Sequence, residues 1–220
     1  MKSIKNCGIL LPVSALPSPY GIGDLGDAAI RFVDFLVQAG QSYWQILPIG
    51  PTSYGDSPYQ SNSAYAGNPY FVSLDALRAQ GLLTEEECAE YAAAVDKTDG
   101  INYAQLFRMR EPILRLAYKR FKGNASYDAF VQDTPWLYEY ALYCALKKKF
   151  DLLPWNEWDE AYRDPHSPAV ERFAQENEDE LGYTYFVQYM FFKGWRALKT
   201  YANVKGIKII GDTPIYVAYD

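Results

Sequence analysis

The chain has 220 residues, and 21 lysines and arginines against 27 aspartates and glutamates give it a net charge of −6. Such an acidic chain lacks the basic surface that binds nucleic-acid phosphates, so nucleic acid is excluded as a partner. Its 49% hydrophobic and 22% charged residues lie close to globular averages, which excludes a disordered polypeptide.

No apolar run approaches the roughly 20 residues that a membrane-spanning helix needs, so no membrane segment is predicted. Lys2 and Lys5, ahead of the apolar residues 8–11, imitate a signal peptide only weakly, because Pro12 and turn residues follow at once. The three cysteines are Cys7, Cys88 and Cys144. Their odd number and wide scatter suit neither a zinc site nor a disulfide framework, and they predict free thiols in a reducing cytoplasm.

The first predicted elements are a strand, a helix and a second strand. The strands are the apolar runs 8–12 and 43–48, and the residues between them have helical spacing, with Asp24 or Asp27 as the N-cap and Gly40 as the stop. Only two residues separate Gly40 from the second strand. A connection this short is typical of parallel α/β units, whose crossovers are right-handed.

A long helical stretch follows, beginning with a capping box formed by Thr84 and Glu87. Further helices are predicted over residues 103–121 with an interruption near Pro112, over 137–150, from Ser167 and Pro168, and from about Tyr183 to Ala202. Residues 155–165 are predicted to be irregular, and residues 207–210 form the third predicted strand.

Three parallel-type strands with one large helical stretch predict the opening of a (β/α)₈ barrel of the α/β class. Residues 1–76 would hold the first barrel strands and a substrate loop, residues 77–180 a helical insertion subdomain, and residues 181–220 a barrel helix and the third strand. Because a barrel of this type usually needs roughly 250 residues, the sequence predicts the N-terminal part of a longer polypeptide with an incomplete barrel.

Ligands of such barrels meet the loops that follow the strands. In the first loop, Gly21, Gly23 and Gly26 imitate a dinucleotide fingerprint, but a proline-rich stretch separates them from the strand, which favours a packed turn. The second loop, residues 48–70, combines four tyrosines with five small hydroxyl residues. This composition suits an uncharged polyhydroxylated ligand, and the alternative is a long loop that only caps the barrel.

The third loop places Asp212 in a Gly-Asp-x-Pro pattern that also surrounds Asp56. The two aspartates could be the carboxylate pair of a glycoside hydrolase. An aspartate in this pattern is more often a turn former, which favours a turn over a catalytic pair. His166 is predicted to be a solvated loop residue, and the charged runs 147–149 and 176–180 solvated helix faces. No metal site is predicted.

Three segments of the sequence resemble the 4-α-glucanotransferases of glycoside hydrolase family 77, the bacterial amylomaltases and plant disproportionating enzymes. The segments are Gly8–Pro12 with Tyr20–Gly26, Tyr54–Tyr70, and Lys208–Val217. Their order and spacing also match the family. Between about residues 77 and 180 the resemblance is one of helical character alone.

The resemblance implies a cytoplasmic, cofactor-free barrel enzyme that moves α-1,4-glucan segments between maltooligosaccharides by a retaining double displacement. The family's catalytic carboxylates follow later strands, so no catalytic residue is assigned in this chain. Tyr59 would lie beside the reacting sugar, with Ser57 in the same loop, and Asp212 would bond donor-sugar hydroxyls. Tyr54 matches an aromatic of a second, more distant glucan site, and Asp220 begins a family loop.

Two alternatives remain at this point. One is an α-glucan hydrolase of a related barrel family, which would release only shorter products. The other is a non-catalytic, truncated glucan-binding protein.

Overall fold

The computed structural model describes residues 6–53, 55–96, 100–215 and 219–220. Its sheet has three parallel strands, β1 (Gly8–Leu10), β2 (Tyr43–Gln45) and β3 (Lys208–Ile210), in the order β1-β2-β3. Trp44 of β2 pairs with Ile9 on one side and Ile209 on the other. The predicted parallel sheet is confirmed, with strands shorter than the apolar runs that indicated them.

Helix α1 (Asp27–Gln38) connects β1 to β2 and buries Ala29, Val33 and Leu36. Its N-cap is Gly26, so the prediction of Asp24 or Asp27 in that role is wrong. Asp24 Oδ1 instead accepts the Gly26 N–H at 2.8 Å and supports the cap from two residues upstream. The predicted stop is confirmed, because Gly40 has φ +66°, a left-handed conformation that favours glycine.

Seven further helices follow among the described residues. They are α2 (Leu74–Ala79), α3 (Glu85–Ala94), α4 (Tyr103–Arg120), α5 (Ala125–Gln132), α6 (Leu137–Lys149), α7 (Pro168–Glu176) and α8 (Glu178–Val204). The capping box at Thr84 and the N-cap at Ser167 are confirmed. The predicted irregular stretch contains two short 3₁₀ turns, Trp155–Glu157 and Glu160–Tyr162. None of the helices in the described part of the chain is long and apolar enough to cross a membrane.

The longest helix, α8, contacts α1, α4, α5, α6, α7 and β3, and so joins the sheet to the other helices. It begins at Glu178 rather than near Tyr183, because the acidic first turn continues the helix at its favourable end. Pro112 lies inside α4 without interrupting it, so that prediction is also wrong. Packing of α4 against α3 and α8 outweighs the local cost of the proline.

Aromatic rings fill much of the space between the helices. Phe121 at the end of α4 lies 5.1 Å from both Tyr127 and Phe186, centroid to centroid, and Tyr189 lies 5.4 Å from Tyr127. Some of the chain's 20 tyrosines therefore pack helices together.

The two charged runs form ion pairs between helices. Lys148 pairs with Glu111 at 2.8 Å and Arg115 with Glu180 at 2.5 Å, and the side chain of Lys147 is only 13% exposed. The prediction that these runs are solvated is confirmed at Lys148 and Lys149, which are exposed, but is wrong at Lys147 and Glu180, which the packing of the helices partly buries.

The capping box at α3 gives a pH-dependent contribution to stability. Hydrogen bonds from Arg120 and from the Thr84 N–H hold the pKa of Glu87 down to about 2, below its ordinary value of 4.5. The stabilisation is therefore complete above pH 4.5 and is lost as the pH falls towards 2. We expect Glu87→Gln to lower the free energy of unfolding by about 1 kcal/mol at pH 7, a modest loss because the Glu87–Arg120 pair is partly exposed.

Thermal melting of both forms from pH 7 to pH 3 measures this effect. The difference in melting temperature between wild type and Glu87→Gln should shrink as the pH falls. Glu86→Gln, an exposed neighbour in the same turn, serves as the control. A difference that is constant with pH would contradict the assignment.

Candidate functional site

Loops from the carboxyl ends of β2 and β3 are joined by a side-chain hydrogen bond. The phenol of Tyr59 donates to Asp212 Oδ2 at 2.7 Å across 153 positions of sequence. Tyr59 is 43% exposed, so its ring face is accessible to a ligand. The structure thus brings together two of the residues that the resemblance singled out.

Backbone geometry shapes the loop around Tyr59. Gly55 and Asp56 have φ +80° and +54°, and the Asp56 N–H donates to the carbonyl of Ser53 at 3.0 Å. An aspartate tolerates this left-handed conformation better than most residues. The turn interpretation of Asp56 therefore agrees with the structure.

Ser57 also shapes this loop. Its hydroxyl oxygen accepts the Tyr59 N–H at 3.3 Å, and its carbonyl accepts the Gln60 N–H at 3.1 Å. These bonds tighten the turn that carries Tyr59 and present its ring at the loop surface.

The Tyr59–Asp212 pair favours a neutral phenol beside a carboxylate. The hydrogen bond to Asp212 raises the pKa of Tyr59, because the phenolate would lose the bond and face a negative charge. Asp212 Oδ1 accepts the Thr213 N–H at 2.8 Å, which fixes the carboxylate plane. A carboxylate offers about four acceptor positions, so Asp212 can still accept hydrogen bonds from ligand hydroxyls.

Asp56 lies in a different environment from Asp212. Burial raises the pKa of Asp56. Burial also raises the pKa of Tyr70 to about 12, and the negative charge of Asp56 contributes to that shift. Asp56 thus lies among tyrosines, while Asp212 is bonded to Tyr59.

A cavity of about 260 Å³ opens beside Asp212. It is lined by the second loop, the middle of α8 and residues 212–214, and its aromatic wall consists of Tyr65, Phe191, Phe192 and Trp195. Tyr65 stacks on Trp136, with ring centroids 6.2 Å apart and planes 17° apart. Ring faces beside hydroxyl and carboxylate oxygens suit a polyhydroxylated ligand.

Gln188 of α8 fastens the second loop to the helix layer. Its side chain is 1% exposed, accepts the Gly67 N–H at 2.8 Å and donates to the Gly67 carbonyl at 3.0 Å. A Cβ atom at position 67 would lie 1.9 Å from the ring of Phe191, so only glycine fits there. Gln188 was not predicted from the sequence, because its partner lies 121 positions away.

The glycines of the first loop pack against the chain itself. A Cβ atom at Gly23 would lie 2.1 Å from the Val13 carbonyl oxygen, and one at Gly26 would lie 2.5 Å from Ser73 Oγ. These contacts confirm the packed turn in place of a dinucleotide fingerprint.

The other predicted residues are placed as follows. Tyr54 lies outside the described residues. His166 is exposed, as predicted, and its backbone N–H donates to Asp164 Oδ1 at 2.9 Å. Across the described ranges, no group of three or more His, Cys, Asp or Glu side chains could hold a metal ion.

Parallel strands whose following loops present aromatic rings and a carboxylate at one edge have the ligand-site arrangement of α/β enzymes. Residues 11–220 match the family model described as 4-alpha-glucanotransferase, glycoside hydrolase family 77, and the chain belongs to that family.

The 4-alpha-glucanotransferase of Clostridium butyricum is 47% identical over 94% of this chain and 43% of its own length. The enzyme of the same name from Streptococcus pneumoniae is 46% identical over 98% of this chain and 44% of its own length. The amylomaltase from Streptococcus agalactiae, solved in complex with acarbose, superposes with a TM-score of 0.89 at 38% identity. That alignment covers 97% of this chain and 44% of the amylomaltase, so the chain spans less than half the length of these relatives.

Proposed function

We propose that the protein containing this chain is a 4-α-glucanotransferase that transfers α-1,4-glucan segments between maltooligosaccharides, and that this chain supplies part of the sugar-binding wall. The Tyr59–Asp212 hydrogen bond, in a chain that belongs to this family, carries the proposal. It joins the two loops that the resemblance assigns to the sugar.

The proposed architecture is the first part of a (β/α)₈ barrel. Three parallel strands in sequential order, with α1 as the first crossover, support it. Residues 1–76 and 181–220 would form barrel elements, and residues 77–180 the helical insertion. The structural similarity to the Streptococcus agalactiae amylomaltase supports the same architecture.

Four residues are proposed to contact glucan. Tyr59 would place its ring against the donor sugar, Asp212 would accept hydrogen bonds from that sugar's hydroxyls, and Ser57 would contribute from the same turn. Tyr54 would belong to a second, more distant glucan site. Exposure of the Tyr59 ring and the open acceptor positions of Asp212 support the first two roles.

The proposed reaction is a retaining double displacement. A carboxylate from outside these 220 residues would attack C1 of the donor glucose and break its bond to O4 of the leaving glucan, which would take a proton from a second carboxylic acid. The 4-hydroxyl of an acceptor glucan would then attack C1, give its proton to that second group and displace the first carboxylate. This chain would orient the donor through Tyr59 and Asp212. Its aromatic wall would exclude water, which favours transfer over hydrolysis.

Partners and location follow from the same proposal. Maltooligosaccharides would be the substrates, and the similar amylomaltase holds acarbose. No cofactor enters the proposed reaction. Cys7, Cys88 and Cys144 are free thiols, which supports a reducing compartment such as the cytoplasm.

Incubation of the full-length protein with maltotriose tests the proposal. A transferase converts maltotriose into glucose and longer maltooligosaccharides, because the glycosyl-enzyme is released by another sugar. Chromatography of early products should therefore show maltopentaose with glucose. Products no longer than maltotriose would favour a related hydrolase, and maltotriose binding without turnover would favour a glucan-binding protein.

A further inference from the structure

A junction at the end of α6 fastens residues 219–220 to the helical part of the chain. The ammonium of Lys147 donates to the carbonyls of Leu152 and Leu153 at 2.8 and 3.0 Å and also binds the carboxylate of Asp220. Since the Lys147 side chain is only 13% exposed, solvent screens this ion pair weakly.

Trp155 provides the second half of the junction. Its backbone N–H donates to Asp220 Oδ1 at 3.1 Å, and its indole Nε1–H donates to the Tyr219 carbonyl at 3.1 Å. The Asp220 carboxylate therefore bonds to a different donor at each oxygen. Such a carboxylate has a fixed orientation, because either donor alone would let it rotate.

The junction also reaches the second loop. Tyr143 lies one turn before Lys147 on α6, and burial raises the pKa of its phenol. The Asp220 charge adds to that shift and Asn62 opposes it, so both side chains lie near the phenol. Asn62 of the second loop and Asp220 thus both lie near Tyr143 of α6.

The part of the chain that follows β3 and ends in this junction is held at its β3 end by the sheet and by Tyr59. The Ile46 N–H donates to the Ile210 carbonyl at 3.0 Å, and Tyr59 donates to Asp212. Asp212 therefore lies between two attachment points, one at the end of β3 and one at Lys147.

We propose that Lys147 is a positioning residue, which holds Asp220 against the end of α6 and so fixes the segment that carries Asp212. The helical insertion thereby orients the sugar-binding wall without touching the sugar. The effect of Lys147 on catalysis rests on the proposed function. The anchoring of Asp220 by Lys147 does not depend on that function. A supporting contact of this kind matters because small displacements of a binding group lower the rate of a positioned reaction.

Three single variants and one double variant of the full-length protein test the proposal. Lys147→Met and Asp220→Asn each remove one side of the ion pair, and Asp220→Asn leaves the Lys147 bonds to the two carbonyls intact. Lys148→Met is the matched control, because it removes the same charge from the same helix end, where Lys148 pairs with Glu111. Each variant is assayed for maltotriose transfer and for amide hydrogen exchange over residues 211–215.

We expect faster exchange at residues 211–215 and about a tenfold fall in kcat/KM in Lys147→Met and Asp220→Asn. Lys148→Met should match wild type in both readouts. The double variant Lys147→Met with Asp220→Asn should show no larger fall in kcat/KM than the more affected single variant, because the ion pair is already absent from each single variant.

Unchanged exchange in Lys147→Met and Asp220→Asn would overturn the anchoring. Faster exchange with wild-type kcat/KM in a transfer-active protein would overturn the positioning role. If the wild-type protein shows no transfer at all, the proposed function fails, and hydrogen exchange alone still decides whether Lys147 anchors the segment.

Discussion

Tyr59→Ala in the full-length protein should lower kcat/KM for transfer from maltotriose about 100-fold, because it removes both the ring beside the donor sugar and the hydrogen bond that orients Asp212. The expected loss exceeds that of a peripheral contact, since one side chain provides two functions. Initial rates of glucose release and of longer-product formation measure the effect.

Two companion variants separate these functions. Tyr59→Phe keeps the ring and removes the bond to Asp212, so we expect a loss of about tenfold. Tyr138→Ala removes an exposed tyrosine ring from α6 and should leave transfer unchanged. Wild-type kinetics in Tyr59→Ala would remove Tyr59 from the site.

Gln188→Leu should destabilise the protein by about 3 kcal/mol, because it leaves the buried N–H and carbonyl of Gly67 without hydrogen-bond partners. Leucine has nearly the same volume, so the loss reports the two hydrogen bonds rather than a cavity. Transfer should also fall, since Gly67 belongs to the second loop. Denaturant unfolding of the full-length protein, followed by the change in midpoint, measures the effect.

Gln175→Leu is the matched control, because Gln175 is exposed on α7 and the same substitution there should change stability by less than about 0.5 kcal/mol. Equal midpoints for Gln188→Leu and Gln175→Leu would show that the Gly67 hydrogen bonds contribute nothing. A midpoint shift in Gln188→Leu with unchanged transfer would separate the stability of the second loop from its proposed binding role.

The parts of the fold that local sequence determines could be predicted. The capping box of Thr84 and Glu87, the N-cap Ser167 and the stop at Gly40 each act within a few residues, and each lies where its pattern indicated. The alternation of strand, helix and strand before residue 48 predicted the parallel pairing, because short connections of this kind allow few other arrangements.

The parts of the fold that tertiary packing determines could not be predicted. Proline breaks many helices, yet α4 continues through Pro112 where it packs against α3 and α8. Asp24 is a residue type that often serves as an N-cap, but here its side chain accepts the N–H of Gly26, which is the N-cap. Gly26 occupies that position where the turn packs tightly against Ser73. Neither outcome is visible in a window of neighbouring residues.

The candidate site likewise has one part that the sequence could predict and one part that depends on tertiary packing. Composition of the second loop indicated a polyhydroxylated ligand, and the resemblance selected Tyr59 and Asp212, which the fold brings to 2.7 Å. The contacts that hold the site, Gln188 to Gly67 and Lys147 to Asp220, join positions 121 and 73 residues apart. A single sequence carries no signal for such pairs.

A crystal structure of the full-length protein with acarbose tests the central claim most directly, because it shows which side chains touch the sugar. We predict a sugar ring against the face of Tyr59 and a sugar hydroxyl within hydrogen-bond distance of the Asp212 carboxylate. Acarbose bound with both Tyr59 and Asp212 free of sugar contact would contradict the account.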